Sequence, residues 1–132
     1  MSSRPALLAA LGLPLIVGVG HAQTDPMAMA RTAAANQTGV MEYCQGHGWA
    51  DQAAVDAQRQ AASHVPPGGD VQALAAAEAT GKRGLLVSNG KETSLAQMAT
   101  VSHTTAQALC AKMSDTAKAV ASTTPTAPGT GK

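Results

Sequence analysis

Residues 106–120 read Ala-Gln-Ala-Leu-Cys-Ala-Lys-Met-Ser-Asp-Thr-Ala-Lys-Ala-Val. Ala106, Leu109, Cys110, Met113, Ala117 and Val120 recur at spacings of three and four, while Lys112, Asp115 and Lys118 fall elsewhere. That is the pattern of a helix with one apolar stripe. Thr104 followed by Gln107 has the capping-box spacing, in which hydroxyl and amide satisfy backbone donors reciprocally, and it predicts a helix over about 104–121. The same periodicity appears far upstream. Met27, Ala30, Ala33, Ala34, Gln37, Val40, Met41 and Cys44 form a second stripe, begun by Asp25-Pro26 as N-cap and first-turn proline and ended by Gly46 and Gly48. Gly39 is a weak point within it. The first and last helices are expected to pack on each other.

Between them, Ala50–Ser63 predicts another helix, with Asp51 at or near its cap and Ala54, Val55, Gln58 and Ala62 on one side. Val65-Pro66-Pro67-Gly68-Gly69 breaks the chain. Asp70 then caps a third helix whose shared face is Val71, Leu74, Ala75 and Glu78, with Gly81 as its stop. Leu85–Gly90 has strand-like residues leading into a turn but no evident partner strand, and reads as a buried loop. Ser94 followed by Gln97 predicts a short helix near 94–102. The fold class is therefore all-α, a small bundle of four or five short helices.

Composition limits the core. Of the 132 residues 45% are hydrophobic, but 29 are alanine, with one tryptophan, one tyrosine and no phenylalanine. Alanine's helix propensity, close packing through small side chains and a crosslink must compensate for so few large apolar groups.

Residues 1–22 read as a cleavable leader. Arg4 is followed by the apolar stretch Ala6–Val19 and by Gly20-His21-Ala22, small residues before the polar Gln23. Gly12, Pro14 and Gly18 weaken a helix already short of the roughly 20 apolar residues that a membrane span needs. Three segments follow: a signal peptide over 1–22, a helical domain over 23–121, and a disordered tail over 122–132 with no residue in it able to anchor a core. A periplasmic or secreted location is expected, with no membrane span after cleavage. The chain's formal net charge of +1 falls to zero without Arg4. With Lys82-Arg83 the only adjacent basic pair, nucleic-acid binding is not expected.

In an exported chain an even cysteine count favours a disulfide, here Cys44–Cys110 between the inner stripes of the first and last helices. His47, His64 and His103 show no metal-ligand spacing and read as helix-end or loop residues. Met27 and Met29, two apart on a helix, point in different directions and suggest packing rather than copper ligation. No Gly-x-Ser-x-Gly setting or carboxylate pair near a histidine is present, so neither a catalytic residue nor a cofactor is expected. The most unusual local cluster is Tyr43, Gly46-His47-Gly48 and Trp49. It reads first as a helix-terminating turn with Trp49 tucked into the core, and second as a candidate binding platform of Tyr43, His47 and Trp49.

This layout resembles the small exported proteins of the HdeA/YmgD-like group of Gram-negative bacteria, in which one cysteine of an early helix pairs with another in the last. The segment Asn36-Gln-Thr-Gly-Val-Met-Glu-Tyr-Cys44, with Ala108-Leu-Cys110, is also similar to a pattern of uncharacterised secreted bacterial proteins. The likeness spans about residues 30–115 and is specific at the two cysteines, the positions it carries over. The expected function is that of a small non-enzymatic interaction protein binding a protein partner. The resemblance adds an alternative, an acid-stress chaperone acting on unfolded clients, and an enzyme of unknown type ranks third.

Overall fold

A computed structural model describes residues 25–124. Its order is α1 (Pro26–Gly46), α2 (Gln52–Ser63), α3 (Val71–Lys82), β1 (Leu85–Ser88), β2 (Lys91–Ser94), α4 (Leu95–Val101) and α5 (Ala106–Thr123). The leader assigned to residues 1–22 lies outside the described residues, as does most of the tail; its first residues, Ser122 and Thr123, are helical.

Each helix begins where a short polar side chain can take an orphan backbone N–H. Asp25, Asp51, Asp70, Ser94 and Thr105 accept from Met27, Ala54, Gln72, Gln97 and Ala108 respectively. The Ser94–Gln97 capping box is complete in both directions. At α5 the cap is one residue later than expected. Thr105, not Thr104, turns extended and puts its hydroxyl over the Ala108 N–H.

Leu85–Ser88 is a strand, not a loop, and its partner is the polar Lys91–Ser94. The turn between them is Asn89-Gly90, with φ of 51° and 73°. Two left-handed residues in a two-residue loop twist as the strands do, and asparagine and glycine tolerate that conformation best. The fold is thus mostly helical with a two-stranded antiparallel hairpin.

The hairpin's outer edge is taken by a side chain. Asn36, buried on α1, donates to the carbonyls of Leu85 (2.9 Å) and Ala77 (3.2 Å) and accepts from the N–H of Val87 (3.1 Å). A carbonyl and the N–H two residues on are the groups a further strand would engage, so one amide fastens α1, α3 and β1 together.

Two core clusters flank α1. Met41, Ala54, Val55, Ala57 and Ala117 join α1, α2 and α5. Val40, Cys44, Leu95 and Cys110 join α1, α4 and α5, with Leu86, Leu109 and Met113 against them. Cys44 and Cys110 form the disulfide, both fully buried. Apart from that bond, α5 packs chiefly on α2 rather than on α1. Asp51 ties the two through Lys118 (3.2 Å).

The closest neighbour of α1 is α3, at two glycines that the sequence reads as a weak point of the first helix and as the stop of the third. Gly39 sits against the backbone of Glu78 and Lys82, and Gly81 against that of Asn36 and Val40. A Cβ on either would overlap a carbonyl oxygen across the interface. Gly81 therefore does not stop α3 but lies inside it. The stop is Gly84, at φ 75°. The buried face of α3 is correspondingly Ala77 and Gly81, not the expected Val71, Leu74, Ala75 and Glu78; Val71 is 78% exposed.

Candidate functional site

Tyr43, His47 and Trp49 come together at the C-terminal end of α1. Tyr43 and His47 are one turn apart and so share a face. His47 is the C-cap, and Gly48 follows in the left-handed region at φ 72°. The N–H of Gly48 donates to Gln45 O and that of Trp49 to Cys44 O, each at 2.9 Å. This pair of bonds is a Schellman motif, which reverses the chain and brings the second residue past the cap back over the last turn. Trp49 consequently stacks on His47, with ring centroids 4.5 Å apart and planes 18° from parallel. Tyr43 tilts against the same imidazole at 4.4 Å and meets Trp49 edge-on at 6.3 Å.

The assembly is held from below. A Cβ at Gly84 would stand 2.8 Å from Tyr43 Cζ, so the tyrosine ring rests on a glycine backbone at the end of α3. Tyr43 and Trp49 both pack on the cluster that contains the cystine. His47 is exposed and the two larger rings are half-buried. The first sequence reading is realised, a helix-terminating turn with Trp49 against the core, and the same turn gathers Tyr43, His47 and Trp49 into an aromatic step.

Beside it lies an open trough of about 390 Å³ lined by Glu42, Tyr43, Gly46, His47 and Lys82. Glu42, which the sequence reading passed over, connects three helices. Its carboxylate takes Arg59 of α2 and, at 3.1 Å, Lys82 of α3, while Lys82 also reaches Glu78 at 2.9 Å. Burial pushes the Glu42 carboxyl up, but hydrogen bonds from Lys82 and Arg59, with their charges, outweigh it and hold it below its ordinary value. Lys82 is shifted up by its hydrogen bonds to Glu78 and Glu42. The trough thus joins aromatic faces to a charge-compensated polar rim. No pattern in the sequence marks Glu42, because its partners lie 17 and 40 positions away.

The other histidines also stand at helix ends: His64 caps α2, and His103 is one residue past the cap of α4. Met27 and Met29 are 42% and 48% exposed near the start of α1, outside the core. Among the described residues no group of three or more His, Cys, Asp or Glu is placed to hold a metal ion, and no helix is long and apolar enough to cross a membrane.

The chain matches no protein-family model, no curated protein and no solved structure.

Proposed function

We propose that the protein is an exported, non-enzymatic interaction protein that binds a protein partner through the Tyr43–His47–Trp49 end. The observation that supports this reading is the aromatic step itself. Three rings are locked by a Schellman turn, a glycine seat and an adjacent disulfide, and present their outer edges beside a polar trough. Preordered aromatic groups of this kind give large contact area at little entropic cost, the usual chemistry of interface anchors. The trough is open rather than enclosed, which suits a side chain of a macromolecule better than a sequestered substrate.

The test is site-specific photo-crosslinking in cells that make the full chain. A crosslinker at Gly46, which lines the trough and where an added Cβ meets nothing within 4 Å, should trap a discrete adduct that disappears when Trp49→Ala is added, while one at Gln72 on α3 should not. Equal adducts from both positions, or an adduct indifferent to Trp49, would remove this reading.

A second reading, the acid-stress chaperone, is favoured by one specific observation. The carboxylate of Glu42 bridges α1 to both α2 and α3, and α3 buries little besides Ala77 and Gly81. As pH falls, carboxylates gain protons, the bridge is lost once Glu42 does so, and the body is left with a growing excess of positive side chains, a condition that loosens a small domain. Its test follows an acid-labile client at pH 2–3 by light scattering, with dye binding for exposed apolar surface. Opening without suppression of aggregation, or no opening at all, would exclude it.

A further inference from the structure

A second concavity, of about 740 Å³, lies towards the other end of α1, between that helix, α3 and the connection from α2. Its walls are largely apolar: Ala34 and Ala35 of α1 face Leu74 and Ala75 of α3, with Val65 at one side. At its edge stands Arg31, half-buried. The guanidinium donates through Nε to Pro66 O at 2.7 Å, and among the described residues no carboxylate lies within ion-pair distance of it. Gly68 and Gly69, at φ 128° and 91°, lie over it; a Cβ on Gly68 would stand 3.5 Å from Cζ and Nη2. Neither glycine bears the Cβ that would press on the guanidinium. With Nε engaged, Nη1 and Nη2 remain as a pair of donors spaced for the two oxygens of a carboxylate.

We infer that this groove binds a monomeric single-chain amphiphile with a carboxylate head, the head on Arg31 and the chain along the alanine-lined walls. Two features of different kinds select that class. One is an apolar trough of a size typical of small-molecule sites. The other is a cation at its rim whose local partner is a backbone carbonyl rather than an acid. The far end carries Glu78, but its charge is already paired with Lys82 at 2.9 Å, so it does not act as a free anion against the ligand. Arg31 and Tyr43 are twelve residues apart on α1, about 18 Å, so this site is separate from the aromatic end and does not depend on the function proposed for it.

The probe is decanoate, titrated below its micelle concentration into the oxidised full chain, with backbone amide shifts mapped by NMR. Shifts should concentrate at Ala34, Ala35, Leu74 and Ala75. Arg31→Gln should weaken decanoate by about tenfold or more, the worth of a charge-assisted hydrogen-bond pair, while Arg31→Lys keeps most of the affinity. Decanol should bind more weakly than decanoate and be indifferent to Arg31→Gln. Ala75→Leu, an exposed helical position that tolerates a larger side chain, should block the chain and weaken both probes with an unchanged circular dichroism spectrum. Decanoate binding untouched by Arg31→Gln and Ala75→Leu, equal binding of decyltrimethylammonium, or binding only to phosphatidylglycerol vesicles and not to monomers would each overturn the assignment.

Discussion

Asn36 shows how much of this fold rests on single side chains. Its amide makes three hydrogen bonds in a buried position and leaves no orphan behind. Asn36→Ala removes all three and strands the Leu85 carbonyl and the Val87 N–H, so denaturant unfolding should show a loss of about 3 kcal/mol, within the range for breaking buried hydrogen bonds. Gly39→Ala should cost as much or more, because the added methyl meets a carbonyl that cannot rotate away. Gly46→Ala is the contrast. It meets nothing within 4 Å and lies in the last turn of α1, so it should raise stability by about 0.5 kcal/mol or leave it unchanged. None of these differences is visible in the sequence. A glycine inside a periodic stretch reads as a flaw until the helix that passes over it is known, and a polar residue beside the apolar stripe reads as surface.

At the scale of elements, what was legible is what is local. The aspartates before α1, α2 and α3, the Ser94 box and the apolar period of α5 each act within one turn, and each helix lies where those signals put it. The cystine followed from count and expected compartment, and the aromatic step was visible as proximity in sequence. Strand β2 was missed because Lys91-Glu-Thr-Ser has no apolar alternation; the sign of it was Asn89-Gly90, a turn that presupposes a second strand. The burying face of α3 was missed because it is made of alanine and glycine, to which hydrophobic periodicity is nearly blind. One helix end departs from local preference. His103 follows α4 in the left-handed region at φ 51°, its N–H on Thr100 O and that of Thr104 on Ala99 O. This is the position where glycine is favoured. His103→Gly should therefore raise the melting temperature, by an amount equal to about 1 kcal/mol. A drop would mean that the imidazole makes a contribution larger than its backbone cost.

For the whole molecule, the cystine carries a large share of stability because the cluster it lies in contains few large side chains. The two cysteines are 66 positions apart. Closing a loop of that length is worth about 4 kcal/mol in the chain-entropy treatment, a large fraction of what a small domain has. Cys44→Ser with Cys110→Ser should leave the protein substantially unfolded near 37 °C, as read by circular dichroism. Superimposable melts for oxidised and substituted chains would mean that the alanine helices hold themselves. If the leader acts as expected, protein recovered from an exporting Gram-negative host should begin at Gln23 and resist alkylation until reduced, both read from intact mass.

Acid should act on the assembly through Glu42 before it acts on any one helix. The carboxyl is held below its ordinary value of 4.5 in the folded state, against burial, by Lys82 and Arg59. A carboxyl with a depressed folded value stabilises the fold fully above its unfolded value, and that contribution fades as pH falls through the folded one. Asp51 behaves in the same sense below 3.8, through the Ala54 N–H first and Lys118 second, at the junction of α2 and α5. The melting temperature should thus be nearly flat above pH 5 and decline below about 4.5. Glu42→Gln removes the half-buried carboxyl's share of that dependence. It should lower the melting temperature at pH 7 and flatten the profile below about pH 5, whereas Asp51→Asn should act only from about pH 4 downward. Because Glu42 bridges α1 to α2 and α3, hydrogen exchange near pH 3.5 should quicken first in α3, a twelve-residue helix that buries only Ala77 and Gly81. Exchange quickening first in α5 would mean that the Asp51–Lys118 junction, not the Glu42 bridge, is the acid-sensitive joint.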